Sequence, residues 1–157
     1  MAERPFNTEE PIGYFITWTT YGTWMPGDER GWWREGEFHQ RNDLMREMSA
    51  SDMKEPSFTL SPDQRGIVED TLTRHCEIRS WTLHAANART NHVHIVVTAR
   101  NYYQPKTVRD QFKAWCTRRL QPTNPNRKRF WTEGGSCRWI KQQDDLQSAI
   151  IYVNESQ

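Results

Sequence analysis

The sequence predicts an α+β domain: an antiparallel sheet, two helices on one of its faces, and one more helix at the C-terminus. Three observations predict it. Strand-length apolar runs recur at residues 14–20, 81–86, 92–98 and 136–140, apolar stripes at helical spacing alternate with them, and 157 residues are enough to bury one ordinary core. The resulting order is β-α-β-β-α-β-α.

Tyr14 to Thr20 is β-branched and aromatic and reads as the first strand. Residues 24–60 change character. Pro26, Gly27, Gly31 and Gly36 interrupt them among many charges, and Trp24, Trp32, Trp33 and Phe38 punctuate them, so a long insertion is expected rather than regular structure, apart from a short helix near Asn42 to Met48. Ser61-Pro62 supplies an N-cap and a proline at the first helical position. Ile67, Val68, Leu72 and Cys76 then mark a helix ending near Arg79. Trp81 to Ala86 is a second strand, and the turn Asn87 to Asn91 leads into a third, His92 to Thr98. Pro105-Lys106-Thr107 opens another helix, with Val108, Phe112, Trp115, Cys116 and Leu120 on its apolar side, and Gln121-Pro122 stops it. Ser136 to Ile140 is a short fourth strand. From Asp145 to Gln157, Leu146, Ala149, Ile150 and Val153 recur at three- and four-residue spacing and predict the last helix. The pattern is ferredoxin-like β-α-β-β-α-β with one helix added.

Within this frame two features carry chemistry. His92 and His94, one residue apart in a β-branched run, project from the same face of their strand and can grip one metal ion. They share that face with Val96, opposite Val93, Ile95 and Val97. If the two main helices cover the Val/Ile face, the histidines open to the other one, where the terminal helix can lie over them. Tyr152 sits on the flank of that helix's apolar stripe, about a quarter-turn from its centre, so its hydroxyl can face a cleft while the helix stays docked. Alone, a His-x-His is as readily the polar edge of a strand, and a flank tyrosine more simply covers a core edge. His84, on the neighbouring strand, could also approach the site, although a satisfied, partly buried histidine is the simpler account. His39 and His75 carry no usable pattern.

Formal net charge is +1, yet from Arg100 to Arg129 nine basic residues (Arg100, Lys106, Arg109, Lys113, Arg118, Arg119, Arg127, Lys128, Arg129) face one acid, Asp110. That is the footprint expected for a polyanion, although a charge run by itself is more often a solvated face. Nineteen aromatic residues are many for a mean hydropathy of −0.96, so some rings are expected at the surface, where Trp32 and Trp33 could stack on bases. Cys76, Cys116 and Cys137 are odd in number and far apart, which suggests neither a disulfide framework nor a zinc knuckle. No run approaches a membrane span and the polar start is no secretory signal, so a cytoplasmic location is expected.

The strand His-x-His, the late tyrosine helix with its following amide, the segment Phe130-Trp131-Thr132-Glu133-Gly134-Gly135-Ser136 and the opening Gly13 to Trp24 together resemble the single-tyrosine HUH transposases, among them the insertion-sequence and REP-associated tyrosine transposases. The resemblance spans about residues 13 to 157, and the whole of 1–157 is expected to be one nuclease domain carrying the 24–60 insertion. It implies cutting and rejoining of single-stranded or hairpin DNA, with Tyr152 as nucleophile, a 5′-phosphotyrosine intermediate, and Mg²⁺ or Mn²⁺ on His92 and His94. A homodimer is a further possibility, since relatives act both as dimers that swap the tyrosine helix and as monomers. One departure stands out. The family's third ligand is an amide four residues after the tyrosine, and here that position is Ser156; Gln157, one residue on, is favoured, with Glu155 and Asn154 as alternatives. Two other functions fit less completely: a domesticated DNA-binding module that no longer cuts, and a metal-dependent hydrolase, which would usually need another ligand just downstream of His94 and a longer chain.

Overall fold

The computed structural model describes residues 10–23, 31–34 as backbone, 37–100 and 103–155. Strands β1 (Gly13–Thr19), β4 (Thr82–Ala88), β5 (His92–Thr98) and β6 (Ser136–Ile140) form one antiparallel sheet in the order β4-β5-β1-β6. Helix α2 (Pro62–Arg79) connects β1 to β4 across β5, and α3 (Pro105–Leu120) connects β5 to β6 across β1. The two β-α-β halves therefore interleave, which puts β5 and β1 at the centre.

Alternation sorts the strand side chains onto two faces. Ile16, Trp18, Val93, Ile95 and Val97 meet Val68, Leu72 and Cys76 of α2 and Val108, Phe112, Cys116 and Leu120 of α3 in the main core. Trp18 and Phe112, 1% and 0% exposed, stack with centroids 6.4 Å apart. On the opposite face lies a smaller cluster of Ala85, Val96, Ile140, Leu146 and Val153, where helix α4 (Gln143–Glu155) docks. The expected arrangement of helices about the sheet is thus the observed one, and the fold class is α+β with a four-stranded antiparallel sheet.

Local chemistry sets the helix starts. Ser61 caps α2 in a reciprocal capping box with Gln64, and Pro105 occupies the first turn of α3, where a missing N–H costs nothing. At the other end of α2, Ser80 takes the left-handed conformation (φ 59°) that closes the helix.

Three details differ from the sequence expectation. β4 runs to Ala88, two residues beyond Ala86, because Asn87 and Ala88 pair with His94 and Val93; only Arg89, Thr90 and Asn91 are left to turn the hairpin. α4 begins at Gln143, two residues before Asp145, while Ser156 and Gln157 lie outside the described residues. The insertion is also more regular than expected. It contains a hairpin, β2 (Trp32–Arg34) with β3 (Glu37–His39), and α1 (Asp43–Ser51), capped by Asn42. α1 buries none of its residues. The insertion rejoins the core at Phe58, which is 4% exposed and meets Phe130 edge-on at 5.1 Å.

Candidate active site

His94 lies on the α4 face of β5, directly opposite Thr17 of β1 and Asn87 of β4, and His92 lies opposite Thr19. Strand alternation does this, and burial then separates the two rings' surroundings. His94 is 2% exposed, whereas His92 is partly exposed, and their ring centroids are 5.1 Å apart at 85°. Tyr152, 57% exposed, stands over them from α4, its ring 5.8 Å from His94 and 5.8 Å from Phe15. The phenol therefore leans on the Phe15 and His94 rings while Val153, the next residue, is the one buried in the sheet cluster.

Burial lowers the pKa of both histidines. His94 is pushed down to about 4, with its neighbours His92 and Arg89 adding to the effect, and His92 is lowered by burial and Arg89. Both rings are accordingly neutral near pH 7, the form that offers a lone pair to a metal. His92 Nδ1 is 2.9 Å from Asn91 Oδ1; the amide oxygen accepts, so Nδ1 carries the proton and Nε2 keeps its lone pair. His94 Nε2 is buried with no hydrogen-bond partner. An orphaned buried nitrogen is costly, and together with the free Nε2 of His92 this one fits a divalent cation.

The resemblance leaves Gln157, Glu155 and Asn154 as candidates for a third ligand. Gln157 lies outside the described residues. Of the alternatives, Glu155 is three residues from Tyr152 and shares its side of the helix, whereas Asn154, two residues on, points elsewhere. Among the described residues no group of three or more His, Cys, Asp or Glu is placed to hold an ion.

The other histidines have structural partners. His84, at the β-bulge in β4, has Nε2 2.7 Å from Thr98 Oγ1, and that hydroxyl donates to Ile12 O at 2.6 Å. Its proton being spent, the hydroxyl accepts from His84, which sits at the far end of β5 from His92. His75 bonds Gln111 at 2.8 Å and packs against Trp81, Phe112 and Trp115, joining α2 to α3.

The basic run divides by location and by partner. α3 is on the sheet face opposite His94. Arg109 contacts Asp110 and Gly135 O, and Lys113 donates to Thr132 O and Gly134 O at 2.9 Å each. Burial, with Arg109 close by, pushes Lys113 down to about 8. These two hold the 132–136 loop, whose Gly135 (φ 142°) lies so near β1 that an added Cβ would meet Thr17 O at 2.6 Å. Arg119 pairs with Asp70 at 2.7 Å. Arg127 and Arg129 both pair with Glu55, which also accepts from the Lys128 and Arg129 amides, so this stretch grips the insertion. Arg100, Lys106, Arg118 and Lys128 are exposed, with Arg118 resting on the Trp115 ring at 4.5 Å. The Trp32 and Trp33 side chains lie outside the described residues.

Sequence reading missed Arg89 and Asn87 on the histidine side of the sheet. The signal was available: Ala85, Asn87 and Arg89 alternate with Ala86 and Ala88 as His92 and His94 alternate with Val93 and Ile95, and a three-residue turn folds the two sets together. No helix among the described residues is long and apolar enough to cross a membrane.

Comparison with known proteins follows the same lines. A structure titled as a REP-associated tyrosine transposase bound to a REP hairpin is similar at TM-score 0.54 and 13% identity, covering 98% of this chain and 70% of the other. A protein from Deinococcus radiodurans R1 crystallised as a transposase candidate is similar at TM-score 0.52 and 14% identity, covering 99% of this chain and 97% of the other. At such identities the likeness is one of fold. No curated protein matches the chain. The family model described as "Transposase IS200 like" matches residues 53–156, well over half of the chain. The chain belongs to the IS200-like transposase family.

Proposed function

We propose that the protein cuts and rejoins single-stranded or hairpin DNA through Tyr152. The observation that carries this reading is the approach of the Tyr152 ring to His94, whose buried Nε2 has no partner. In the proposed step the Tyr152 oxygen, losing its proton, attacks a backbone phosphorus; the P–O3′ bond breaks, and the departing 3′ oxygen takes up a proton. The product is a 5′-phosphotyrosine and a free 3′-hydroxyl. One phosphodiester is exchanged for another, so rejoining needs no separate energy source. His92 and His94 would hold Mg²⁺ or Mn²⁺, which when bound supplies positive charge at the phosphate oxygens.

The chain's own groups prepare the reaction. Burial keeps both imidazoles neutral, Phe15 supports the phenol from below, and the exposed face of Tyr152 leaves room for a strand to approach. The REP hairpin in the structural neighbour supports DNA of that kind as the substrate class.

The test is a denaturant-resistant adduct between the protein and hairpin or single-stranded DNA in Mg²⁺ or Mn²⁺. Tyr152→Phe keeps the ring and the docking but should form no adduct and make no cut, while DNA binding survives. His92→Ala, at a partly exposed position, should behave likewise. Cleavage by Tyr152→Phe would point to a hydrolase with another nucleophile. A wild-type chain that binds but never forms an adduct would mean a binding module.

A further inference from the structure

The last described turn of α4 lies at the site, and there Asn87 Nδ2 donates to Val153 O at 3.0 Å. Among the described residues this is the one side-chain hydrogen bond from the sheet to α4. Its placement is specific at both ends. Asn87 is the register partner of His94 on the next strand, on the same face, and Val153 directly follows Tyr152. The rest of the anchorage of α4 is apolar: Leu146 lies near Gly13 at the first turn, and Val153 sits in the small cluster with Ala85 and Val96. Apolar packing resists lifting of the helix but fixes its rotation and axial position weakly, whereas a directional hydrogen bond beside the tyrosine fixes both.

We infer that Asn87 is a positioning residue, whose amide sets the last turn of α4, and with it the Tyr152 oxygen, against His94. This rests on Tyr152 being the nucleophile. Asn87 is not itself in contact with reacting atoms; it acts through the Val153 carbonyl.

The test compares Asn87→Asp, which keeps the size but turns an acceptor toward the carbonyl, with Asn87→Ala and Asn87→Gln. Two quantities are read with hairpin DNA and Mn²⁺: the rate of adduct formation at saturating DNA, and the concentration for half-saturation. Asn87→Asp and Asn87→Ala should lose roughly ten-fold or more in rate, because small displacements of a reacting group have large effects, while half-saturation stays within about two-fold. Asn87→Gln, which retains the donor, should recover part of the rate. Amide hydrogen exchange supplies a readout free of activity: protection at the end of α4 should fall in Asn87→Asp while protection in β5 is unchanged. Equal adduct rates in Asn87→Asp and the wild type, or a rate loss matched by loss of β5 protection, would overturn the positioning role alone. If the wild type forms no Tyr152 adduct, the nucleophile reading fails, and this role with it, even where exchange still reports the bond.

Discussion

His94 shows how a single side chain can serve two ends. The proposed function makes it an ion ligand; its 2% exposure makes it part of the packed interior as well. The two roles have a joint consequence for acid stability. Its folded pKa, about 4, lies below the roughly 6.5 of an unfolded histidine, so between those values the unfolded chain binds the extra proton and the folded chain does not. The contribution is fully present above about pH 6.5 and is lost as pH falls toward about 4, a change on the order of 3 kcal/mol. Burial lowers His75 in the same direction. Thermal melting of metal-free protein should therefore drop across that window, and His94→Gln should flatten the drop. Parallel pH profiles for the two proteins would contradict it. His-x-His was legible because strand alternation fixes which face both rings share; the difference between a buried His94 and a partly exposed His92 was not, since it depends on where α4 crosses.

Elements with regular periodicity were legible and those without it were not. α2, α3 and β5 announce themselves through caps, prolines and alternation, whereas the β2–β3 hairpin is hidden among glycines and charges that signal loop as strongly as turn. The basic run is the clearest case of a pattern whose meaning depends on distant residues. Arg127 and Arg129 are 10% and 41% exposed at the side chain and share Glu55, more than seventy positions earlier in the chain, so no local reading could separate them from Arg118 and Lys128. Their behaviour should separate too. Charge reversal at Arg118 and Lys128 should leave the melting temperature unchanged and, if these residues meet phosphates, reduce the slope of log affinity against log salt by up to about 0.7 per contact on single strands. Reversal at Arg127 and Arg129 should lower the melting temperature, since it sets like charge against Glu55. Identical effects from both pairs would show that the insertion is not held by this clamp.

On the scale of the molecule, the order of elements sufficed to anticipate which face carries the helices, because interleaved β-α-β halves leave one side of the sheet for α4. Whether that helix serves its own chain was not readable from order alone. In this structure Tyr152 meets His94 of the same chain. Mixing His94→Ala with Tyr152→Phe protein should therefore restore no adduct, whereas restored adduct formation would mean that subunits exchange their tyrosine helices.

The unequal size of the two apolar clusters has a thermal consequence. The interior shared by α2 and α3 contains large rings such as Trp18, Phe112 and Phe130, whereas α4 is anchored mainly by Leu146 and Val153 upon Ala85, Val96 and Ile140. Local opening free energies follow the contacts that must be broken. On gentle warming the tyrosine helix should thus come away while the remainder stays native, so that adduct formation fades several degrees below the calorimetric transition and returns on cooling. Loss of both at one temperature would mean that α4 melts only with the rest.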